Sequence, residues 1–124
     1  MSRAVRAALM ALLLVALAAS VSATAGAAPR AHAAGGCHLS SYEQRHMGAT
    51  YVTSLRVRHT SCSTGKDVVR AFNKCRKGPR GHCHHRVKHF KCTEHRRGIS
   101  VQFNSTVNCT RGAKRVHFTY TQNT

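Results

Sequence analysis

Six cysteines, Cys37, Cys62, Cys75, Cys83, Cys92 and Cys109, are spread through the C-terminal two thirds of the chain. An even set of this kind in a short exported chain reads as a disulfide framework rather than as metal ligands or nucleophiles. Oxidised sulfur can serve neither of those purposes, because both need the free thiolate. The compartment therefore decides how every other motif is read.

The first residues point to export. Arg3 and Arg6 form a positive n-region, and the apolar run Ala7 to Ala19 has the length of a signal h-region. That run is shorter than the roughly 20 residues needed to cross a bilayer. Small-residue cleavage patterns follow, including Ala25-Gly26-Ala27 and Ala31-His32-Ala33. The expected organisation is a signal peptide over 1–27 with cleavage between 25 and 34, an N-terminal arm over 28–48, and one domain over 49–124. The mature form is expected to hold no transmembrane segment and to be extracellular or associated with the cell envelope.

The core is thin. From Gly35 onward there are eight Val, two Leu, one Ile, four Phe, three Tyr, one Met and no Trp. Domains with so few large apolar residues commonly recruit disulfides, each contributing about 2–4 kcal/mol, chiefly by restricting the unfolded chain. The favoured pairs are Cys75–Cys83, closing a short loop around Gly78-Pro79, Cys92–Cys109, joining neighbouring strands, and Cys37–Cys62, tying down the arm. Cys62 and Cys75 lie about 220° apart on a helix and should not meet.

Patterning predicts an α+β fold, with one amphipathic helix packed on a small antiparallel sheet of about four strands. Alternation over Thr50–His59 predicts a strand with Tyr51, Leu55 and Val57 inward and Arg56 and Arg58 outward. Thr60 to Ser63 offer N-cap oxygens for a helix over Ser63–Arg76, with Asp67 expected in its first turn. Gly78-Pro79-Arg80-Gly81 ends it. A strand over Arg86–Thr93 with a bulge near His89, a long strand from Ile99 to Cys109, and a strand through Val116, Phe118 and Tyr120 complete the reading.

The segments Thr60–Arg76, Gly81–Cys83, His89–Glu94, Gln102-Phe103, Val107–Gly112 and Tyr120–Thr124 together resemble a group of small secreted, cysteine-rich proteins of actinobacteria. The resemblance covers about Tyr51 to Thr124 and rests on cysteine spacing. It implies secretion and disulfides, and it carries over no functional residue.

Charge is the main functional clue. From Gly35 onward seventeen Lys/Arg face only Glu43, Asp67 and Glu94, a net charge of +14 with His neutral. Solubility needs only about 2–8 charges on a small domain. The excess points to extracellular polyanions, namely cell-envelope polysaccharide, nucleic acid or an anionic lipid surface, bound without sequence specificity. The expected binding platform is Arg56, Arg58, Arg86, Lys88, Arg115 and His117 on the sheet face away from the helix. No cofactor is expected.

Two other classes stay open. The stretch Gly81–Arg97 is rich in histidine, and His82, His84 and His85 could hold Zn²⁺ or Cu²⁺ if a turn drew them together. Crowded positive charge and the scarcity of carboxylates for a supporting shell weigh against that. A histidine-based ribonuclease would use His89 and His117 as acid and base with Lys88 stabilising the phosphorane. Paired-carboxylate glycosidase and Ser/His/Asp chemistry are disfavoured, because only three carboxylates exist and no G-x-S-x-G is present.

Overall fold

The computed structural model describes residues 35–124. The expected signal peptide, its cleavage region and the start of the arm lie outside the described residues. Seven elements follow: β1 (Gly35–Gly36), α1 (Ser41–Arg45), β2 (Tyr51–Arg58), α2 (Cys62–Cys75), β3 (Lys91–Ile99), β4 (Gln102–Arg111) and β5 (Lys114–Asn123). The strands form one antiparallel sheet in the order β1-β2-β5-β4-β3. The α+β class therefore holds, with five strands rather than four and a second, five-residue helix.

Helix α2 starts at the cap Ser61, whose hydroxyl accepts the Thr64 amide at 3.1 Å. Val68, Val69 and Phe72 recur at helical spacing and are buried. Asp67 lies beyond the first turn, where it pairs instead with Arg70 at 3.3 Å on the exposed side. Gly65 lets the helix press onto β2, since a Cβ there would sit 2.7 Å from Val57 Cγ1. The segment before β2 packs in as well: Leu39 and Met47 belong to the core cluster, and Asn73 donates to the Met47 carbonyl at 2.9 Å.

The bridges are Cys37–Cys62, Cys75–Cys83 and Cys92–Cys109, the same three pairs that spacing favoured. Two of them pin the two ends of α2. The third joins residues directly opposed across β3 and β4. Among the described residues no cysteine is free and no helix is long and apolar enough to cross a membrane.

Three details differ from the sequence reading. In β2 the irregularity lies between Val52 and Ser54, so Val52 turns inward, fully buried, in place of Tyr51. The strand expected over Arg86–Thr93 with a bulge at His89 begins instead at Lys91. Val87 and Phe90 exchange hydrogen bonds at 3.0 and 2.8 Å across a tight turn, with Lys88 and His89 at φ 50° and 66°. Two central residues of positive φ make this a type I′-like turn, which explains why two apolar residues three apart are both buried. Finally, the long strand begins at Gln102 rather than Ile99, and Ile99 and Val101 are exposed at the β3–β4 hairpin tip.

Candidate functional site

The sheet has one face toward α2 and one toward solvent, and charge is distributed unequally between them. On the helix side, Glu94 of β3 is buried and accepts from Arg96 Nε at 2.9 Å, Arg96 Nη2 at 2.9 Å, Ser105 Oγ at 2.8 Å and the Tyr120 hydroxyl. Burial pushes the Glu94 carboxyl up, but donation from Arg96, Tyr120 and Ser105 outweighs it and leaves the group below its ordinary value. Burial, then the bond to Glu94, pushes Tyr120 up to about 12.

Arg76 is equally hidden, at 2% exposure. Its guanidinium lies 4.6 Å from the centre of the Tyr120 ring and donates to Gln122 Oε1 at 3.0 Å. Burial holds its pKa below the usual guanidinium value. Arg96 lies 4.6 Å from the centre of the Phe103 ring and donates to the Arg80 carbonyl at 3.0 Å and to the Gly81 carbonyl. These charges serve the interior.

The other two carboxylates are also engaged away from the outer face. Glu43, in α1, accepts from Lys66 at 2.6 Å, and that bond together with the Ser40 amide holds it down to about 2. Asp67 pairs with Arg70.

The outer face is organised by strand register, because side chains alternate between faces along each strand. One cross-strand row runs Arg58, Arg115, Thr110, Lys91, and the next runs Arg56, His117, Asn108, Thr93. The following rows are uncharged except at β3: Ser54, Thr119, Thr106, His95, and then Tyr51, Thr121, Asn104, Arg97. Like charges stand directly opposed at Arg58 and Arg115, an arrangement that costs stability. The uncharged side chains bond to one another, as in Thr53–Thr119 at 2.6 Å, Thr121–Asn104 at 2.7 Å and His117 Nδ1–Asn108 Oδ1 at 2.6 Å. His95, Arg97, Asn104 and Thr106 surround a shallow hollow of about 390 Å³.

Four of the six residues expected to form the platform, Arg56, Arg58, Arg115 and His117, thus lie in two adjacent rows. Arg86 and Lys88 are not on the sheet. Arg86 borders a hollow of about 370 Å³ beside β3 together with Lys91, His84 and His85, and Lys88 sits in the I′-like turn. The sequence reading missed Lys91, His95, Arg97, Asn104 and Thr106. Their signal was parity with the bridge: once Cys92 points inward, positions 91, 93, 95 and 97 point outward.

The histidines are dispersed. The His82 and His84 rings are 6.1 Å apart and tilted, and His82 Nδ1 lies 3.5 Å from Glu94 Oε2. Among the described residues no three His, Cys, Asp or Glu side chains converge as a metal-binding group. His89 lies in the turn that leads into β3, whereas His117 is on β5, two strands away in the sheet order. Two strand spacings amount to roughly 10 Å, a wide gap for an acid and a base acting on one phosphate.

Comparison of the chain with protein-family models, with curated proteins and with solved structures gave no match.

Proposed function

We propose that the protein is exported, as the small secreted proteins it resembles are, and binds extracellular polyanions non-catalytically through the outer sheet face. A cell-envelope polymer is the favoured target. The observation that carries this reading is the collection of Arg56, Arg58, Lys91, Arg97 and Arg115 on one face without a carboxylate, with Arg58 directly opposite Arg115. Opposed like charges are relieved when an anion lies across them. Three disulfides support an oxidising compartment.

The aromatic residues disfavour base-specific readout. Phe72, Phe90, Phe103, Phe118 and Tyr120 are all buried, and the one Phe or Tyr ring in the outer-face rows is Tyr51, half-buried with its hydroxyl tied to Gln44, so the face offers no run of stacking rings. The testing experiment is a binding panel of glycerol-phosphate polymer, sulfated polysaccharide, DNA and RNA, with RNA length checked afterwards. Binding to phosphate and sulfate polymers alike with intact RNA is expected. Failure to bind any of them at low salt would refute the reading, and RNA cleavage would favour the histidine ribonuclease.

A further inference from the structure

The β3–β4 hairpin ends in Ile99-Ser100-Val101. Ile99 and Val101 are 70% and 58% exposed, the only large aliphatic side chains so uncovered among the described residues. The third exposed large apolar residue, Tyr42, is accounted for by stacking on His46 at 3.9 Å. In a chain with so thin a core, two aliphatics given to solvent side by side need a reason.

The tip is held in place. Gly98, at φ 148°, passes so close to the opposite strand that a Cβ would sit 2.5 Å from the Gln102 carbonyl oxygen. The Thr124 amide donates to the Val101 carbonyl at 3.0 Å and its hydroxyl donates to the Ser100 carbonyl, so the end of the chain braces the hairpin. Beside it stands the turn Lys77–Gly81, fixed to β3 by the Arg96 guanidinium. Two adjoining grooves of about 260 and 360 Å³, sharing Arg80 and Thr124, run between tip and turn past Phe103 and Pro79. Cations surround this end: Lys77 and Arg80 on the turn, and Arg97 two residues before Ile99. No acidic side chain lines these grooves; Glu94 lies behind them, paired with Arg96.

We infer that this end of the molecule docks on an anionic lipid bilayer. Ile99 and Val101 enter the boundary between headgroups and acyl chains, and Lys77, Arg80 and Arg97 meet lipid phosphates. Apolar side chains ringed by basic ones are the combination an interface of this kind recognises. A folded protein partner fits less well, because a stable interface needs about 800 Å² on each side with an apolar centre, and two side chains do not supply it. The inference shares Arg97 with the polyanion reading but rests on the hairpin tip and the Lys77–Gly81 turn, which that reading does not use. Ten residues of β4 separate the hairpin tip from the Arg58–Arg115 row's end of the sheet, roughly 30 Å of strand. A bilayer at the tip therefore leaves those rows open.

The test uses the oxidised, exported chain and vesicles of phosphatidylcholine with phosphatidylglycerol. The unmodified protein should co-sediment with these vesicles. Ile99→Ser with Val101→Ser should partition at least about tenfold more weakly, while its thermal unfolding and its binding to soluble glycerol-phosphate polymer stay unchanged. The chain has no tryptophan, so Val101→Trp supplies a clean reporter; its emission should shift to the blue on adding anionic vesicles. Thr106→Trp, on the outer face, should show no such shift. Equal partitioning of the serine variant, or a blue shift at 106 but not at 101, would overturn the inference. So would absence of vesicle binding by a protein that still binds the soluble polymer.

Discussion

On the helix side of the sheet Glu94 is buried among Arg96, Tyr120 and Ser105, and Arg76 lies beneath the ring of Tyr120. On the solvent side Arg56, Arg58, Arg115 and Lys91 stand in two rows with no carboxylate among them. The same side-chain type thus does opposite things a strand's thickness apart. Of the inward arginines, Arg96 is paired with Glu94, whereas Arg76 donates to Gln122 and lies against the Tyr120 ring with its Nε unpartnered, and an interior charge so placed is costly to disturb. Outward arginines are left mutually repelling, which water tolerates and a polyanion would relieve.

The sharpest way to break that contrast is to make equivalent changes on each face. Glu94→Ala leaves the Arg96 guanidinium, the Tyr120 hydroxyl and Ser105 without their shared acceptor, and should cost about 3–5 kcal/mol in chemical unfolding. Reduction of all three bridges, at about 2–4 kcal/mol per bridge, should cost more in total, about 6–12 kcal/mol. Arg56→Ala with Arg58→Ala should instead change stability by less than about 0.5 kcal/mol, and removal of the Arg58–Arg115 opposition favours a slight gain. A large loss from the outer pair, or a negligible one from Glu94→Ala, would erase the distinction.

Acid titration separates the faces more finely. Glu94 is depressed in the folded state and Glu43 is held at about 2 against an ordinary 4.5. Depressed carboxylates contribute stability that is present above the unfolded value and lost as pH falls through the folded one. The fold should therefore weaken from pH 4.5 downward toward about 2. Glu94→Gln and Glu43→Gln should each flatten that limb when unfolding is followed across pH, whereas Arg115→Ala should leave its shape intact. Zinc should also have little effect. With the histidines dispersed, added Zn²⁺ should raise stability by less than about 1 kcal/mol, as read by thermal unfolding in the presence and absence of chelator.

The legible elements are those in which apolar residues repeat. Val68, Val69 and Phe72 announce α2, and Val116, Phe118 and Tyr120 announce β5. Strand β1 is two glycines, which carry no pattern, and α1 buries none of its residues; its one signal, Ser40 with Glu43 three residues on, is a capping box. Strand β3 misled because its inward positions are Cys92, Glu94 and Arg96 rather than hydrophobics. That shifted the reading toward Val87 and Phe90 on one side and Ile99 and Val101 on the other. Arg56, Arg58, Arg115 and His117 were readable as a group because they alternate with well-patterned apolar residues. Lys91, His95 and Arg97 were not, because their inward neighbours are polar.

Salt dependence addresses the outer face most directly. Binding of glycerol-phosphate polymer should be titrated across a salt series for the unmodified protein and for Arg56→Ala with Arg58→Ala and Arg115→Ala. Each phosphate contact removed lowers the slope of log affinity against log salt by roughly one. The triple variant should therefore bind more weakly at low salt, with a slope shallower by about 2–3, and should unfold like the parent. The same affinity and slope in both proteins would show that the outer face is not where polyanions bind.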